Sequence, residues 1–108
     1  MGKFIVTTRT NGEFQFKLQA GNGQTILSGE GYTTKAACQN GIESVKANSQ
    51  DESKFEKLTA SNGKPYFNLK AGNGQVIGTS QMYADESGRD NGIASVVENA
   101  KDAEVVEE

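Results

Sequence analysis

Between residues 14 and 20 apolar and polar side chains alternate strictly. Phe14, Phe16, Leu18 and Ala20 fall on one side, Gln15, Lys17 and Gln19 on the other. A period of two marks a half-buried antiparallel strand. Asn11-Gly12 precedes this run and Asn22-Gly23 follows it. Asn-Gly between apolar runs is the strongest short-range hairpin signal, because it supports the φ > 0 conformations of a two-residue turn. The Phe4-Ile5-Val6 run and the segment anchored by Ile26 are therefore the flanking strands. The period then changes. Cys38, Ile42, Val45 and Ser49 recur at i, i+4, i+7 and i+11. This narrow stripe predicts a helix over roughly residues 34–48, with Thr33 or Thr34 as its N-cap.

The same pattern returns 51 residues later without a gap. Ala20-Gly21-Asn22-Gly23-Gln24 recurs as Ala71-Gly72-Asn73-Gly74-Gln75, and Asn40-Gly41-Ile42 as Asn91-Gly92-Ile93. Lys3-Phe4, Asn11-Gly12, Tyr32 and Ser44-Val45 recur as Lys54-Phe55, Asn62-Gly63, Tyr83 and Ser95-Val96. About 20 of 48 aligned positions are identical, which establishes an internal repeat. In the second copy Phe67, Leu69 and Ala71 face inward, Pro65 opens the strand where a missing N–H does least damage, and Ile77 anchors the third strand. Arg89, Ile93, Val96 and Ala100 form the second stripe, predicting a helix over roughly 85–100 with Asp85 as N-cap. The chain thus divides into a βββα repeat at 1–50, a second at 51–102 and an acidic, flexible tail at 103–108, with Ser49–Ser53 as a polar linker.

Each unit of about 50 residues is too small to bury a comfortable core by itself, so the two are expected to share one. The fold class that follows is α+β, a tandem duplication of a βββα unit about a pseudo-two-fold axis. Phe4, Phe16, Leu18 and Ile26 are expected to meet Phe55, Phe67, Leu69 and Ile77 on one inner sheet face.

Composition narrows the chemistry. The 108 residues are 34% hydrophobic and 23% charged, with no Trp and no His. The missing histidine removes the commonest general base, the commonest metal ligand and the usual partner of a nucleophilic Ser or Cys. One cysteine, Cys38, forbids an intrachain disulfide and a multi-thiolate metal site. Cys38 sits on the helical stripe, where a free thiol behaves as a small buried hydrophobe. No apolar run is long enough to span a membrane, and Met1–Val6 runs directly into a strand pattern with no signal-peptide core, so the expected location is cytoplasmic. The net charge is −3, with five Lys/Arg against three Glu in residues 1–50 and six against eleven Asp/Glu in 51–108. Such a balance disfavours nucleic acid, even with the tyrosines and Lys17, Lys46 and Lys70 as a conceivable contact set.

The remaining motifs mostly have structural readings. The Gly-Asn-Gly loops resemble anion nests, but no Lys-Ser/Thr follows and a strand, not a helix, comes next. Gly41 and Gly92 lie inside predicted helices, where glycine costs about 1 kcal/mol against alanine. Their presence in both copies implies close packing against the sheet or the other helix. Tyr32 and Tyr83 stand at the sheet-to-helix junctions, where a ring can staple the helix start while its hydroxyl reaches solvent. Asn40 and Asn91 precede the helical glycines and can hydrogen-bond a neighbouring loop. Tyr32, Tyr83, Asn40 and Asn91 are the candidate ligand or interface residues. No catalytic, cofactor-binding or metal-binding set is assigned. Asp85 and Glu86 beside Tyr83 are the carboxylates an enzyme would use if burial raised a pKa.

Ala-Gly-Asn-Gly-Gln, an apolar β residue, Tyr, then Asn-Gly-Ile-x-Ser-Val, in two copies, resembles the YegP-like family of small bacterial and archaeal proteins. The likeness covers residues 3–101. It implies an α+β arrangement of βββα units, as tandem pairs or as homodimers of single units. The family's function is unknown, so it implies no catalytic or binding residues. Glu56 and Lys57 stand where the first copy has Ile5 and Val6, and Arg89 where it has Cys38. The resulting expectation is a small non-catalytic module binding a protein partner, a second copy or a small ligand, without a cofactor. The alternative is a carboxylate-dependent enzyme with its cleft between the repeats.

Overall fold

The computed structural model describes residues 2–108. Its elements in chain order are β1 (Lys3–Thr8), β2 (Phe14–Gln19), β3 (Thr25–Ser28), α1 (Lys35–Asn48), β4 (Phe55–Thr59), β5 (Pro65–Lys70), β6 (Val76–Thr79), α2 (Glu86–Ala100) and β7 (Glu104–Glu107). A single 3₁₀ turn, Glu52–Lys54, leads into β4. The two βββα units are present as the sequence predicts.

The hairpins form, but with a different turn. Among the described residues only the glycines of the Asn-Gly pairs, Gly12, Gly23, Gly63 and Gly74, adopt positive φ, between 84° and 87°. Among the described residues no asparagine does. The bonds Gly12 N–H to Arg9 C=O and Arg9 N–H to Glu13 C=O define a three-residue loop ending in a left-handed glycine, not the expected two-residue turn. The asparagine has another task. Asn11 Oδ1 accepts the Glu13 N–H at 3.0 Å, and Asn22, Asn62 and Asn73 accept the corresponding bond in their loops. This local side-chain bond holds the asparagine in an ordinary conformation and leaves the strain to glycine.

The strands make one seven-stranded sheet in the order β4-β5-β6-β3-β2-β1-β7. β3 and β6 join the repeats antiparallel at Ser28 and Thr79, which are themselves 51 residues apart. The pseudo-two-fold axis therefore passes between these two residues. On the helix side near this axis the symmetry breaks: Leu27 is 1% exposed, and a methyl on its counterpart Gly78 would lie 2.7 Å from Leu27 Cδ2. One large side chain fills a space that two would overfill.

The helices are capped as predicted, by Thr34 Oγ1 on Ala37 N–H and by Asp85 Oδ1 on Gly88 N–H. Both lie on the same sheet face. α1 packs on β2 and reaches β5 and β6, while α2 packs on β5 and reaches β1, β2 and β3. Each helix thus roofs both repeats, so the core is shared. Every residue expected on the inner face is in that core, with Cys38, Ile42 and Val45 from α1 and Ile93, Val96 and Ala100 from α2. Arg89, on the second stripe, is 9% exposed, and its Nε leaves the core for Asp90 Oδ1 at 3.3 Å.

The last segment corrects the sequence reading. Residues 103–108 are not a flexible tail: Glu104–Glu107 form β7, parallel to β1, with Lys3 opposite Glu104 and Val6 opposite Glu107. Ala103 is buried, and Lys35 pairs with Glu107. Three acidic residues, Glu104, Glu107 and Glu108, masked a short Val-Val strand. Its pairing partner lies about one hundred residues upstream, beyond the reach of any local signal.

Candidate functional site

The four candidate residues are placed by one device used twice. Tyr32 stacks on Phe16 with ring centroids 6.2 Å apart, and Tyr83 stacks on Phe67 at 6.3 Å. Each ring then runs beneath the helix at its glycine. A methyl on Gly41 would stand 2.7 Å from Tyr32 Cζ, and one on Gly92 2.6 Å from Tyr83 Cζ, each closer still to the hydroxyl. The helical glycines are therefore slots for tyrosines, which is the packing role their cost implied. The hydroxyl does not reach water as expected in the second repeat. Tyr83 Oη is buried and has no hydrogen-bond partner among the described residues. Burial raises its pKa above the ordinary value; the Gln81 side chain lies near enough to pull it the other way but does not meet the geometry of a hydrogen bond. Tyr32 is also raised, by burial first and then by Cys38 and Glu30. Burial likewise raises the Cys38 thiol.

Asn40 and Asn91 are exposed, one residue before the slots, and neither side chain makes a hydrogen bond among the described residues. They do not bind a neighbouring loop. Tyr32 and Asn40 come together in a cleft of about 490 Å³ between the repeats. Its walls are Glu30, Ala37, Gly41 and Ser44 on one side, and Ala71, Asn73, Gln75, Val76 and Ile77 of the other repeat. Tyr83 and Asn91 lie at the pseudo-symmetric position and do not line this cleft. Asn73 and Gln75 went unnoticed as cleft residues because their turn chemistry already accounts for the motif, and only the β3–β6 junction brings them to α1.

The carboxylates beside Tyr83 do not form an acid–base site. Asp85 and Glu86 are exposed, and Asp85 is engaged as the α2 N-cap. Among the described residues no cluster of three or more Cys, Asp or Glu could hold a metal ion. Asp90 stands 3.3 Å from Lys57 Nζ and from Arg89 Nε. Desolvation works upward on its pKa, but Lys57 and Arg89 outweigh it and the net shift is downward. No helix among the described residues is long and apolar enough to cross a membrane.

Comparison with known proteins agrees with this architecture. A family model described as a domain of unknown function (DUF1508) matches residues 10–56 and 60–107. The molecule is thus a tandem pair of such domains, each match running from a hairpin through the helix into the strand beyond it. The chain belongs to the UPF0339 family, which includes the YegP proteins. It is 53% identical over 106 residues to a UPF0339 protein in the ptx operon 5′ region of Stutzerimonas stutzeri, covering 98% of this chain and 96% of the relative. It is 54% identical over 98 residues to YegP of Escherichia coli K12, covering 91% and 89%. The solution NMR structure of the Shewanella oneidensis UPF0339 protein SO3888 superposes with a TM-score of 0.93 at 51% identity, covering 98% of this chain and 90% of that one. The solution NMR structure of YegP from E. coli, a protein of unknown function, gives the same TM-score, covering 98% and 91%.

Proposed function

We propose that this protein is a non-catalytic binding module whose ligand occupies the cleft between the repeats. One observation carries the reading: the cleft draws Tyr32, Asn40 and Ser44 from one repeat and Asn73 and Gln75 from the other. Neither repeat has this site alone, so duplication creates it. The amides and hydroxyls supply donors and acceptors, the Tyr32 ring supplies an apolar wall, and Glu30 is the one carboxylate, with no lysine or arginine opposite it. The ligand class is therefore a small polar molecule, neutral or cationic. The net charge of −3 argues against nucleic acid. A cytoplasmic location belongs to the same reading.

The test is a screen of small polar metabolites against the ¹⁵N-labelled protein, following the side-chain amides of Asn40, Asn73 and Gln75. A true ligand shifts these three together. Asn40→Ala or Asn73→Ala should weaken it about tenfold, the loss of roughly one hydrogen bond in a partly dry site. A ligand whose affinity survives both substitutions refutes the cleft as its site.

A further inference from the structure

The sheet ends differently on its two sides. At one end β7 covers β1, whereas at the other β4 is the last strand. The 51-residue shift carries β1 onto β4, so the covered edge and the bare edge are the same edge in two copies. Lys57 pairs with Phe67, whose carbonyl accepts the Ser80 N–H on its far side. Residues opposite one another in an antiparallel ladder both turn toward or both away, so the Lys57 N–H and C=O point outward. At the equivalent place the Val6 carbonyl accepts the Glu108 N–H at 2.9 Å. Beside β4 runs a groove of about 320 Å³ lined by Glu52, Phe55, Lys57, Asp90 and Ile93. At the matching place in the first repeat the groove lies between α1 and β7, with Val105 of β7 facing Gln39 and Ile42. The missing cover shows in the core: Phe4 and Ile42 are 0% and 1% exposed, Phe55 and Ile93 9% and 6%.

β7 shows what kind of strand this edge takes. Its sequence is Glu104-Val105-Val106-Glu107, and its acids lie opposite Lys3 and Val6. The same register on β4 sets one acid beside Lys54, the last residue of the 3₁₀ turn, and the other opposite Lys57. Asp90 already shares Lys57, and Glu86 takes the place of Lys35, so the two lysines supply the attraction. The first apolar residue then falls opposite Phe55, over the groove. A second copy is a poor occupant. Two β4 strands laid antiparallel about their middle with faces matched put Lys57 against Lys57 or Glu56 against Glu56. The chain's own acidic strand is already held on β1 by its ladder and by the Lys35–Glu107 pair. We propose that the outer edge of β4 binds an extended segment of a partner protein with the pattern acid-apolar-x-acid, laid parallel to β4 as β7 is to β1.

The test titrates the full ¹⁵N-labelled chain with a synthetic peptide of the sequence of residues 103–108. The expected result is saturable shifts along β4 and at Asp90 and Ile93, with amide exchange at Lys57 slowed about tenfold and Asn40 and Asn73 unmoved. Binding at β4 therefore stands or falls separately from binding in the cleft. Lys54→Glu and Lys57→Glu, each checked for a dispersed native spectrum, should each weaken the peptide at least fivefold. Three results overturn the proposal: shifts centred on β1, meaning the peptide replaces β7; no saturable shift at millimolar peptide; or unchanged affinity in both lysine variants. Concentration-dependent protection of Lys57 without peptide would assign the edge to a second copy and overturn it equally.

Discussion

Gly92→Ala tests the tyrosine slot by the sign of its effect. On an exposed helix face, glycine to alanine stabilises by about 1 kcal/mol. Here the added methyl would lie 2.6 Å from Tyr83 Cζ and 3.2 Å from Phe67 Cε2. The tyrosine ring cannot yield easily, because it is stacked on Phe67 at an interplanar angle of 10° and Phe67 is fully buried. Overpacking of this kind costs up to about 3 kcal/mol. Setting the propensity gain against it leaves a net loss of about 2 kcal/mol, or roughly 10 °C in the melting midpoint of a chain this size. Urea denaturation with equal m-values measures the loss. Tyr83→Leu in the Gly92→Ala background supplies the second half of a double-mutant cycle, and a favourable coupling of at least ~1 kcal/mol is expected. Gly88→Ala in the same helix is the control, since the atoms nearest its methyl would be Asp85 Oδ1 at 3.3 Å and Tyr83 carbons at 3.6 Å. A Gly92→Ala protein that is more stable than the parent refutes the slot.

Other outcomes follow from the same contacts. Tyr83→Phe removes a buried hydroxyl that has no partner among the described residues, so stability should stay level or rise by up to ~1 kcal/mol; a clear loss, by the same denaturation assay, would show that the hydroxyl is bonded. Burial raises the pKa values of Cys38, Tyr32 and Tyr83 above 9.0, 10.0 and 10.0. The unfolded chain then releases these protons first, so stability is fully present below those ordinary values and falls as pH rises through the folded ones. Urea midpoints should drop between pH 8 and pH 11, and flat midpoints would contradict the burial. For the same reason Cys38 should react with a thiol reagent at pH 8 only at the rate of opening, which stopped-flow labelling in mild denaturant reads directly. Truncation after Asp102 removes β7 with buried Ala103 and half-buried Val106, for a loss of about 2 kcal/mol. It also bares the apolar edge of β1, and self-association on gel filtration should follow.

The helices were the most legible elements, since 3.6-residue periodicity and N-caps are local: Thr34 and Asp85 cap as their side chains and positions predict. The core was legible for a related reason, because alternation in β2 and β5 allows only one face to be dry. The turn type was less so. Asn-Gly serves both a two-residue and a three-residue loop, and the choice rests on whether the asparagine side chain bonds its own backbone. For the candidate site, Tyr32, Asn40 and their counterparts stood out as recurring polar residues. Nothing in the chain showed that Tyr32 and Asn40 share a cleft with Asn73 and Gln75 while Tyr83 and Asn91 do not line it.

The sequence by itself determined the duplication, the βββα unit, the two helical stripes and the residues of the shared core. All of these follow from contacts within about twenty residues or from periodicity that burial enforces. Tertiary structure alone decided which strands sit at the two ends of the sheet. Whether β7 pairs with β1, and whether anything pairs with β4, depends on backbone groups about one hundred residues apart or on another chain, and neither leaves a pattern in the order of side chains. The repeat is symmetric, but among the described residues only β7 is left over to cover an edge. One edge is therefore closed and the other open.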